Sequence, residues 1–545
     1  MNGLMMDMPL LINDLIRHAD RHHGDTEIVS KRVEGEFHRY TYRAAHARSK
    51  RLAKALAKLG VGMNDRVATL AWNGYRHFEI YYAVAGSGAV IHTINPRLFP
   101  EQVVYIANHA EDKVLFVDLT FLPLVEKIYA GLASVRHFVV MTDRAHMPAS
   151  TGGAGSPKFL CYEDLIEAED DKFEWPSFDE KTASCLCYTS GTTGNPKGVL
   201  YHHRSTMLHA YAAALPDALN LSAADVILPV VPMFHVNAWG LPYSCALTGA
   251  KLVFPGQHLD GKSLHEMFEQ EGVTMSAGVP TVWLGLLNYM KENKLKFSTL
   301  KSTVIGGSAC PPAMIRSFQE DYGVKVLHAW GMTEMSPLGT VATFKGKHAK
   351  ADKETRYAVQ NKQGRVIFGV DMKIVDAEGK ELPQDGKAFG DLHVRGPWVA
   401  TAYFKNEGGD PLKDGWFPTG DVATIDPDGN MQITDRSKDV IKSGGEWISS
   451  IDLENIAVAH PEIVEAAVIG IAHPKWDERP IVVAIKKPGA TVTRDELLEF
   501  YEGKIAKWWM PDDVVFVEQL PHTATGKLSK LTLRNEMKDY VLPKA

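Results

Sequence analysis

The sequence predicts an α/β protein with a large N-terminal domain and a smaller α+β C-terminal domain. The chain has 545 residues, which exceeds what one hydrophobic core normally organises. Apolar residues make up 45% of the chain and there are 11 Trp, enough apolar side chain for large buried cores. Strand-like and helix-like segments alternate along most of the sequence, which is typical of parallel sheets covered by helices.

The clearest alternating unit begins with STVIGG (302–307), which has the pattern of a buried strand. PPAMIRSFQEDYG (311–323) follows as a helix that begins at its prolines, and VKVLHAW (324–330) as the next strand. Ligands of such βαβ folds bind beyond the carboxyl ends of the strands. We therefore expect the residues after these two strands to line one crevice: Gly306, Gly307, Ser308 and the segment 330–334.

The end of the chain has the pattern of a separate compact unit. After a polar glycine-containing loop, it contains a predicted helix near 450–459 and strands around 466–471 and 481–485. A further helix is indicated by a capping box formed by Thr493 and Glu496. These short elements predict a small α+β domain.

The domain boundary is predicted at the charged stretch DRSKD (435–439). We expect an N-terminal domain over residues 1–437. The C-terminal domain then covers residues 438–545, with a hinge near Lys438 and Asp439.

Charge and cysteine content argue against several classes of protein. The net charge of −7 gives no basic footprint for nucleic acid or an anionic membrane. The five cysteines are odd in number and lack paired CxxC spacing, so neither a disulfide framework nor a zinc site is indicated. The N-terminus has no basic segment ahead of its apolar residues, and no stretch reaches membrane-span length without proline, histidine or charge. We expect a cytoplasmic protein.

The stretch YTSGTTGNPKGV (188–199) combines hydroxyls and glycines with one lysine. It is not a Walker-type loop, because Lys197 follows Pro196 and precedes Gly198, with no hydroxyl in the magnesium position. On its own it would be an ordinary solvated turn. Hydroxyls, close backbone approach at glycine and a lysine nevertheless suit phosphate, and the candidate residues are Thr189, Ser190, Gly191, Thr192, Thr193, Gly194 and Lys197.

Four further motifs accompany this stretch: AWGMTE (329–334), TGD (419–421), DRSKDVIKSGGEW (435–447) and TATGK (523–527). In this order and spacing, the five motifs resemble the acyl-adenylate-forming superfamily of acyl-CoA synthetases, adenylation domains and luciferases. The resemblance spans nearly the whole chain and implies an acyl-adenylate-forming N-terminal domain followed by a small mobile C-terminal domain. PMFHVNAWG (232–240), the SGGEW loop and the overall length look most like short-to-medium-chain fatty acyl-CoA ligases.

The resemblance implies that a carboxylate attacks the α-phosphate of ATP. Two anions approach only where a site supplies cations and oriented donors. The 189–197 loop would hold the β- and γ-phosphates, Thr333 would donate to the α-phosphate and Glu334 would bind Mg²⁺. Family members often place the first threonine of the loop near that ion, which makes Thr189 a second candidate metal ligand.

The resemblance also implies where the nucleoside binds. Trp330 would stack on adenine where most relatives have tyrosine, and the Asp421 carboxylate could accept from both ribose hydroxyls. Arg436 could contact the same sugar, although TGD alone is an ordinary turn and Arg436 alone an interdomain ion pair. The remaining expected nucleotide contacts are Gly306, Gly307, Ser308, Ala329 and Gly331.

Two lysines of the C-terminal domain would serve the two half-reactions. Lys527 matches the family lysine that bridges carboxylate and phosphate during adenylation, whereas Lys442 belongs to the loop used for thioester formation. Both cannot easily occupy one crevice, so the resemblance implies rotation of the small domain about Lys438 or Asp439. The residues expected at CoA are Lys442, Ser443, Gly444, Gly445, Glu446 and Trp447.

The acyl pocket is expected to be short and apolar. Candidates taken from the family's motif positions are His235, Trp239, Val279, Pro280, Gly307 and Pro337. The indole of Trp239 stands where longer-chain relatives have small residues, which favours an acid of about three to six heavy atoms. The resemblance thus implies an AMP-forming ligase for 3-methylmercaptopropionate or a similar short acid, with short-to-medium-chain fatty acids as the alternative.

Other activities remain open at this point. An adenylating enzyme could load the pantetheine of a carrier protein instead of free CoA, and a non-catalytic protein could bind adenylates on the same fold. Luciferase-type oxidation has no residues that specify it. The expected partners are a small carboxylic acid, ATP and CoA, with Mg²⁺ as cofactor and a homodimer left open.

Overall fold

A computed structural model describes residues 1, 3–148, 157–189, 195–443, 446–522 and 528–542 of the chain. Its described strands form four sheets with helices packed on them, so the predicted α/β class is confirmed. None of the helices in these ranges has the length and apolar character needed to cross a membrane. All five cysteines are free and buried.

The first sheet has seven strands, numbered here in chain order, and carries the phosphate-loop stretch at one edge. Its strands are parallel except for Gly198–His202, which runs antiparallel to Ala183–Tyr188. In spatial order they are β7 (Phe159–Cys161), β6 (His137–Val140), β5 (Asp112–Val117), β3 (Arg66–Leu70), β4 (Val90–Thr93), β8 (Ala183–Tyr188) and β9 (Gly198–His202).

The second sheet has nine strands, parallel in its centre and antiparallel at both edges. Parallel strands are usually covered on both faces and therefore apolar. In spatial order they are β16 (Arg365–Val366), β15 (Leu338–Val341), β14 (Lys325–Gly331), β13 (Ser302–Ile305), β12 (Met275–Gly278), β10 (Val226–Pro229), β11 (Lys251–Phe254), β1 (Glu27–Lys31) and β2 (Phe37–Thr41).

Two smaller sheets complete the chain. An antiparallel sheet of four strands precedes the predicted hinge, and a mixed sheet of five follows it. The four are β17 (Asp371–Val375), β18 (Phe389–Arg395), β19 (Phe417–Ile425) and β20 (Met431–Arg436), and the five are β21 (Ile441–Ser443), β22 (Glu446–Ile448), β23 (Ile463–His473), β24 (Asp477–Lys486) and β25 (Asp513–Phe516).

The helices cover the sheets, and one of them lies inside the N-terminal core. The helix Tyr75–Gly86 is buried along its whole length; its two charged side chains are paired, Arg76 with Glu34 and Glu79 with Arg48. The other helices are Ile12–His23, Tyr42–Lys58, Pro100–Ala110, Leu122–Ile128, Tyr162–Glu167, His203–Ala214, Leu241–Thr248, Gly261–Glu271, Pro280–Glu292, Pro312–Arg316, Gly346–Ala349, Lys353–Gln360, Ser450–Val458, Arg494–Tyr501 and Lys530–Glu536.

The predicted strand–helix–strand unit is present with one difference. β13 and β14 pair in parallel, with Val304 opposite Leu327. The intervening helix is α-helical only over Pro312–Arg316 and widens into a π-helical turn over Ser317–Asp321, which the apolar spacing does not reveal. In the C-terminal domain the predicted helix and strands are present, and Thr493 caps its helix through a capping box with Glu496.

The predicted hinge follows β20 directly. The Asp439 carboxylate forms an ion pair with Arg534 at 2.6 Å, so the last described helix is tied to the start of its own domain. Across the boundary, Ser449 Oγ donates to the Thr434 carbonyl at 2.6 Å and the Ser450 N–H donates to Asp435 at 2.8 Å. Rotation about this segment remains a prediction, and it would have to break these two hydrogen bonds.

Candidate active site

The phosphate-loop stretch connects β8 to β9, and its two ends are tied together. The Thr189 N–H donates to the Lys197 carbonyl at 2.9 Å, and the Lys197 N–H donates to Thr189 Oγ1 at 3.1 Å. Thr189 and Lys197 therefore extend the β8–β9 pairing by one step. Five predicted phosphate contacts lie outside the described residues: Ser190, Gly191, Thr192, Thr193 and Gly194.

A short series of side chains leads from Lys197 to Glu334. The Lys197 ammonium lies 4.9 Å from the centroid of the Tyr403 ring, a cation–π contact. The Tyr403 hydroxyl donates to Glu334 Oε1 at 2.8 Å. The lysine predicted to neutralise phosphate and the carboxylate predicted to bind metal thus share one tyrosine, which none of the sequence motifs includes.

The Glu334 carboxylate is buried just beyond β14, on a short helical turn over Thr333–Met335. Burial raises the pKa of this carboxyl, while the hydrogen bond from Tyr403 lowers it by less. The backbone of the turn is fixed from two sides. The Ala400 N–H donates to the Glu334 carbonyl at 2.8 Å, and the Tyr201 hydroxyl donates to the Thr333 carbonyl.

The residues present fit a magnesium ion. Glu334 and Thr189 offer oxygen ligands, which Mg²⁺ prefers. A buried carboxylate whose pKa is raised by burial is stabilised in its ionised form by a nearby cation. Glu334 therefore has the chemistry and the surroundings of a metal-binding carboxylate.

A second group of possible ligands, Glu34, Asp143 and His146, lies away from these motifs. Its two acids already pair with guanidinium groups, Glu34 with Arg76 at 2.8 Å and Asp143 with Arg32 at 2.6 Å. Burial raises the pKa of both carboxyls, but contacts with Arg32 and Arg76 for Glu34, and with His146 and Arg32 for Asp143, outweigh it and lower each pKa to about 2. The cluster is an ion-pair network and gives no reason to place a metal there.

The predicted ribose carboxylate joins two other predicted nucleotide residues. Asp421 Oδ2 accepts from the indole N–H of Trp330 at 2.9 Å, and Oδ1 lies 2.9 Å from Nε of Arg436. Asp421 is opposite Arg436 in the β19–β20 ladder. The Asp421 side chain is 6% exposed and that of Arg436 is 55% exposed, so the arginine reaches towards solvent. Each carboxylate oxygen keeps a lone pair for a ribose hydroxyl.

The ends of β13 and β14 meet, as the predicted crevice requires. A methyl group on Gly306 would lie 3.0 Å from the Ala329 carbonyl oxygen, and one on Gly331 would lie 2.1 Å from the Pro337 carbonyl oxygen. Gly331 therefore has room for hydrogen alone. Beyond β13 the chain is exposed at two further predicted nucleotide residues, Gly307 and Ser308.

Two of the candidate acyl residues, Gly307 and Val279, form one surface with Trp239 and with Gly306. A methyl group on Gly306 would lie 3.1 Å from Cη2 of the indole, and one on Gly307 would lie 3.9 Å from its Cζ2. The same position on Gly307 is 3.1 Å from Cγ1 of Val279. The half-buried indole therefore lies across the two glycines that follow β13, with Val279 beside them. Pro280 begins the next helix.

Trp239 ends an unusual turn of the backbone. Four consecutive residues other than glycine are left-handed, with φ of 47° at Val236, 54° at Asn237, 49° at Ala238 and 57° at Trp239. Left-handed conformation costs roughly 1–2 kcal/mol per L-residue, and asparagine is the type that tolerates it best. Strain of this kind persists only where surrounding contacts enforce it and is concentrated at functional sites.

The two remaining acyl candidates have different surroundings. The half-buried His235 lines a small cavity together with Thr189, beside the phosphate stretch. Pro337 is buried, and the next residue, Leu338, donates its N–H to His209 Nε2 at 3.1 Å. Burial lowers the pKa of His209 to about 4, so this imidazole is neutral and can accept. His235 therefore shares a cavity with Thr189, at the start of the stretch predicted to bind phosphate.

The predicted CoA residues lie on a hairpin of the C-terminal domain. β21 and β22 pair with Lys442 opposite Trp447 and Ser443 opposite Glu446. The Lys442 N–H donates to Glu478 at 3.0 Å and its side chain is exposed, whereas Ser443 is buried. Gly444 and Gly445, and the side chains of Glu446 and Trp447, lie outside the described residues, as does Lys527.

Comparison with known families matches two parts of the chain. Residues 15–404 match the family described as AMP-binding enzyme. Residues 452–527 match the AMP-binding enzyme C-terminal domain. The first match contains the phosphate stretch, the Trp239 surface and Tyr403, and the second contains the position of Lys527.

Three known proteins resemble the chain over nearly its whole length. The 3-methylmercaptopropionyl-CoA ligase of Ruegeria lacuscaerulensis is 57% identical over 99% of both chains. The medium-chain-fatty-acid–CoA ligase of Ectopseudomonas oleovorans is 53% identical over 99% of this chain and 98% of its own. The crystal structure of the anthranilate CoA ligase AuaEII in complex with anthranoyl-AMP superposes with a TM-score of 0.86 at 25% identity, covering 98% of both chains.

Proposed function

The chain belongs to the AMP-binding enzyme family, and from this premise we propose that it is a ligase that joins a short carboxylic acid to CoA with consumption of ATP. In the first step a carboxylate oxygen attacks the α-phosphorus, and diphosphate leaves. In the second, the CoA thiolate attacks the carbonyl carbon of the acyl-adenylate, and AMP leaves. The thiol proton passes to solvent, and one thioester bond has replaced one acyl-phosphate bond.

The observation that carries this proposal is the series Lys197, Tyr403 and Glu334 beside the turn at Thr333. Transfer of a nucleotidyl group requires mainly positioned charge and oriented donors. A cation at one side of a tyrosine and a buried carboxylate at the other supply charges of opposite sign along the expected path of the phosphates. Asp421 with Trp330 supplies the nucleoside end.

The chain's own groups have separable tasks in the first step. Lys197 neutralises leaving phosphate charge, and Thr333 donates to the α-phosphate. Lys527 bridges the attacking carboxylate and the α-phosphate. Glu334, with Thr189 as second candidate, would hold Mg²⁺, which when bound offsets the negative charge of the phosphates.

The second step would use the hairpin of β21 and β22. After rotation about Lys438 or Asp439, the exposed Lys442 and the hairpin turn replace Lys527 in the crevice. Two observations support such a rotation. The hairpin follows the predicted hinge within a few residues, and the direct contacts across the boundary at Ser449 and Ser450 are hydrogen bonds that water can replace.

The proposed acid is 3-methylmercaptopropionate or another short apolar acid. The relative at 57% identity carries that substrate in its name, and the indole across Gly306 and Gly307 leaves little depth for a chain. A medium-chain fatty acid is the second candidate, because the relative at 53% identity is a medium-chain-fatty-acid–CoA ligase. The alternative acyl acceptor is the pantetheine of a carrier protein. Five buried free thiols support a cytoplasmic location. Whether the enzyme acts as a monomer or as a homodimer is left open.

The test is CoA-dependent AMP formation with 3-methylmercaptopropionate, propionate, butyrate, hexanoate and octanoate. We expect the highest kcat/KM with 3-methylmercaptopropionate or butyrate. If AMP forms only when a carrier protein is added, the acyl acceptor is that carrier protein and not free CoA. Binding of ATP without diphosphate release on addition of any acid would contradict the ligase itself.

A further inference from the structure

The left-handed turn that carries Trp239 contains one buried amide, that of Asn237. Asn237 is 3% exposed, and its Oδ1 faces three hydrogen-bond donors. The thiol of Cys185 donates at 3.3 Å and that of Cys187 at 3.5 Å. The Tyr81 hydroxyl lies 3.3 Å from the same oxygen.

These donors belong to rigid parts of the N-terminal core. Cys185 and Cys187 lie two residues apart on β8, which puts both thiols on one face of the strand, 3.7 Å from each other. Tyr81 lies on the helix that is buried along its whole length. Its single hydroxyl proton is directed at the Met233 carbonyl at 2.5 Å, so the 3.3 Å contact with Asn237 Oδ1 is the weaker of the two. Asn237 is thereby tied to a strand and to a helix at once.

The backbone of the turn needs such a restraint. Valine and tryptophan disfavour left-handed conformation, and Val236 and Trp239 both adopt it. The Ala238 N–H donates to the Pro232 carbonyl at 3.1 Å and the Gly240 N–H to the Asn237 carbonyl at 3.0 Å, and neither bond fixes the Asn237 side chain. A right-handed alternative would move the indole away from Gly306 and Gly307.

We propose that Asn237 is a positioning residue for acyl-chain length, which holds Trp239 across the acyl cleft through its contacts with Cys185, Cys187 and Tyr81. This inference rests on the proposed function, since it assigns the floor of the acyl site to Trp239. Asn237 acts through the backbone of the turn and touches no reacting atom. The Cys185 and Cys187 thiols serve as hydrogen-bond donors.

The experiment measures the ratio of kcat/KM for octanoate to that for butyrate, because this ratio does not depend on the fraction of folded enzyme. Asn237→Gly keeps access to left-handed backbone but removes the amide. The double variant Cys185→Ala/Cys187→Ala removes two donors, and Cys185→Ser/Cys187→Ser restores them as hydroxyls. Cys245→Ala is the matched control. Cys245 is an equally buried thiol, but it lies on the helix Leu241–Thr248, which follows the turn.

We expect the ratio to rise at least about tenfold in Asn237→Gly and in the double alanine variant, the discrimination typical of one methylene or more. The double serine variant and Cys245→Ala should keep the wild-type ratio. If Asn237→Gly does not fold, the alanine and serine pair decides the question.

Two results would overturn the proposal. A wild-type ratio in Asn237→Gly and in the double alanine variant, with an increased ratio in Trp239→Gly, would show that Trp239 keeps its place without Asn237 and would leave the proposed function intact. A ratio unchanged even in Trp239→Gly would remove both the positioning role and the assigned pocket floor, while acid-dependent AMP formation by the wild type would still establish the ligase.

Discussion

The indole N–H of Trp330 donates to Asp421 Oδ2 at 2.9 Å, so the residue expected at adenine orients the residue expected at ribose. Arg436 contacts the other carboxylate oxygen. The carboxylate is therefore held in one rotamer before a nucleotide binds, which lowers the ordering cost of binding. A tyrosine or phenylalanine in place of Trp330 could stack on adenine but would lack this nitrogen.

Trp330→Phe should therefore weaken ATP binding more than it slows chemistry. The variant keeps a flat ring but removes a donor to a charged acceptor, an interaction worth about 1.5–3 kcal/mol. We expect KM for ATP to rise by about tenfold, with kcat changed less. Trp175→Phe is the control, since that indole donates to His46 outside the candidate site. Equal effects of both substitutions on KM would remove the role of the Trp330 nitrogen.

Glu334→Gln should lose adenylation by several orders of magnitude. The amide preserves the shape of the side chain but not the anion that would hold Mg²⁺. Diphosphate release across a magnesium titration measures the effect, and thermal unfolding checks the fold. A rate like that of the wild type at every magnesium concentration would show that Glu334 is not the metal ligand.

Tyr403→Phe should shift the acidic limb of the pH–rate profile upwards. Burial already raises the pKa of Glu334, and the Tyr403 hydroxyl opposes that shift, so its removal raises the pKa further. The ionised carboxylate is the form that binds metal, and activity would therefore be lost at a higher pH as the solution is acidified. The shift should be small, since one neutral donor is removed and the buried surroundings of the carboxylate are otherwise unchanged. A shift to lower pH would contradict this assignment.

Trp239→Gly should move substrate preference towards hexanoate and octanoate. Removing the indole vacates the volume of several methylenes above Gly306 and Gly307. The measurement is the chain-length profile of kcat/KM. A folded variant with the profile of the wild type would mean that the acyl chain lies elsewhere.

Lys527→Ala and Gly445→Pro should separate the half-reactions. The lysine variant should lose diphosphate release from acid and ATP yet form thioester from a supplied acyl-adenylate, because the charge on ATP is then no longer present. The proline variant should do the reverse. Proline at Lys438 or Asp439 fixes φ and should favour one half-reaction over the other. Equal loss of both steps in a folded Lys527→Ala would contradict domain alternation.

The sequence allowed the fold and part of the site to be predicted, for identifiable reasons. The unit at 302–330 has a clear apolar period, and the motif order indicated Glu334 and Asp421. Tyr403 could not be found this way, because its contacts with Lys197 and Glu334 join segments far apart in the chain and a single tyrosine carries no spacing.

The left-handed backbone around Trp239 could not be predicted from the sequence either. VNAW contains no glycine, and only Asn237 favours a left-handed conformation, so local preference indicates a right-handed turn. Tertiary contacts with β8 and a buried helix reverse that preference. The sequence shows that Trp239 has a large side chain, but it does not show which contacts stabilise the turn that carries it.

The mutual hydrogen bonds between Thr189 and Lys197, eight positions apart, bear on how the segment between them can evolve. Its two ends are joined by these bonds, so the entropic cost of bringing them together is already part of the pairing of β8 with β9. Doubling the length of such a segment adds only about 0.6 kcal/mol. Insertions or exchanges between these two anchors should therefore be tolerated in folding.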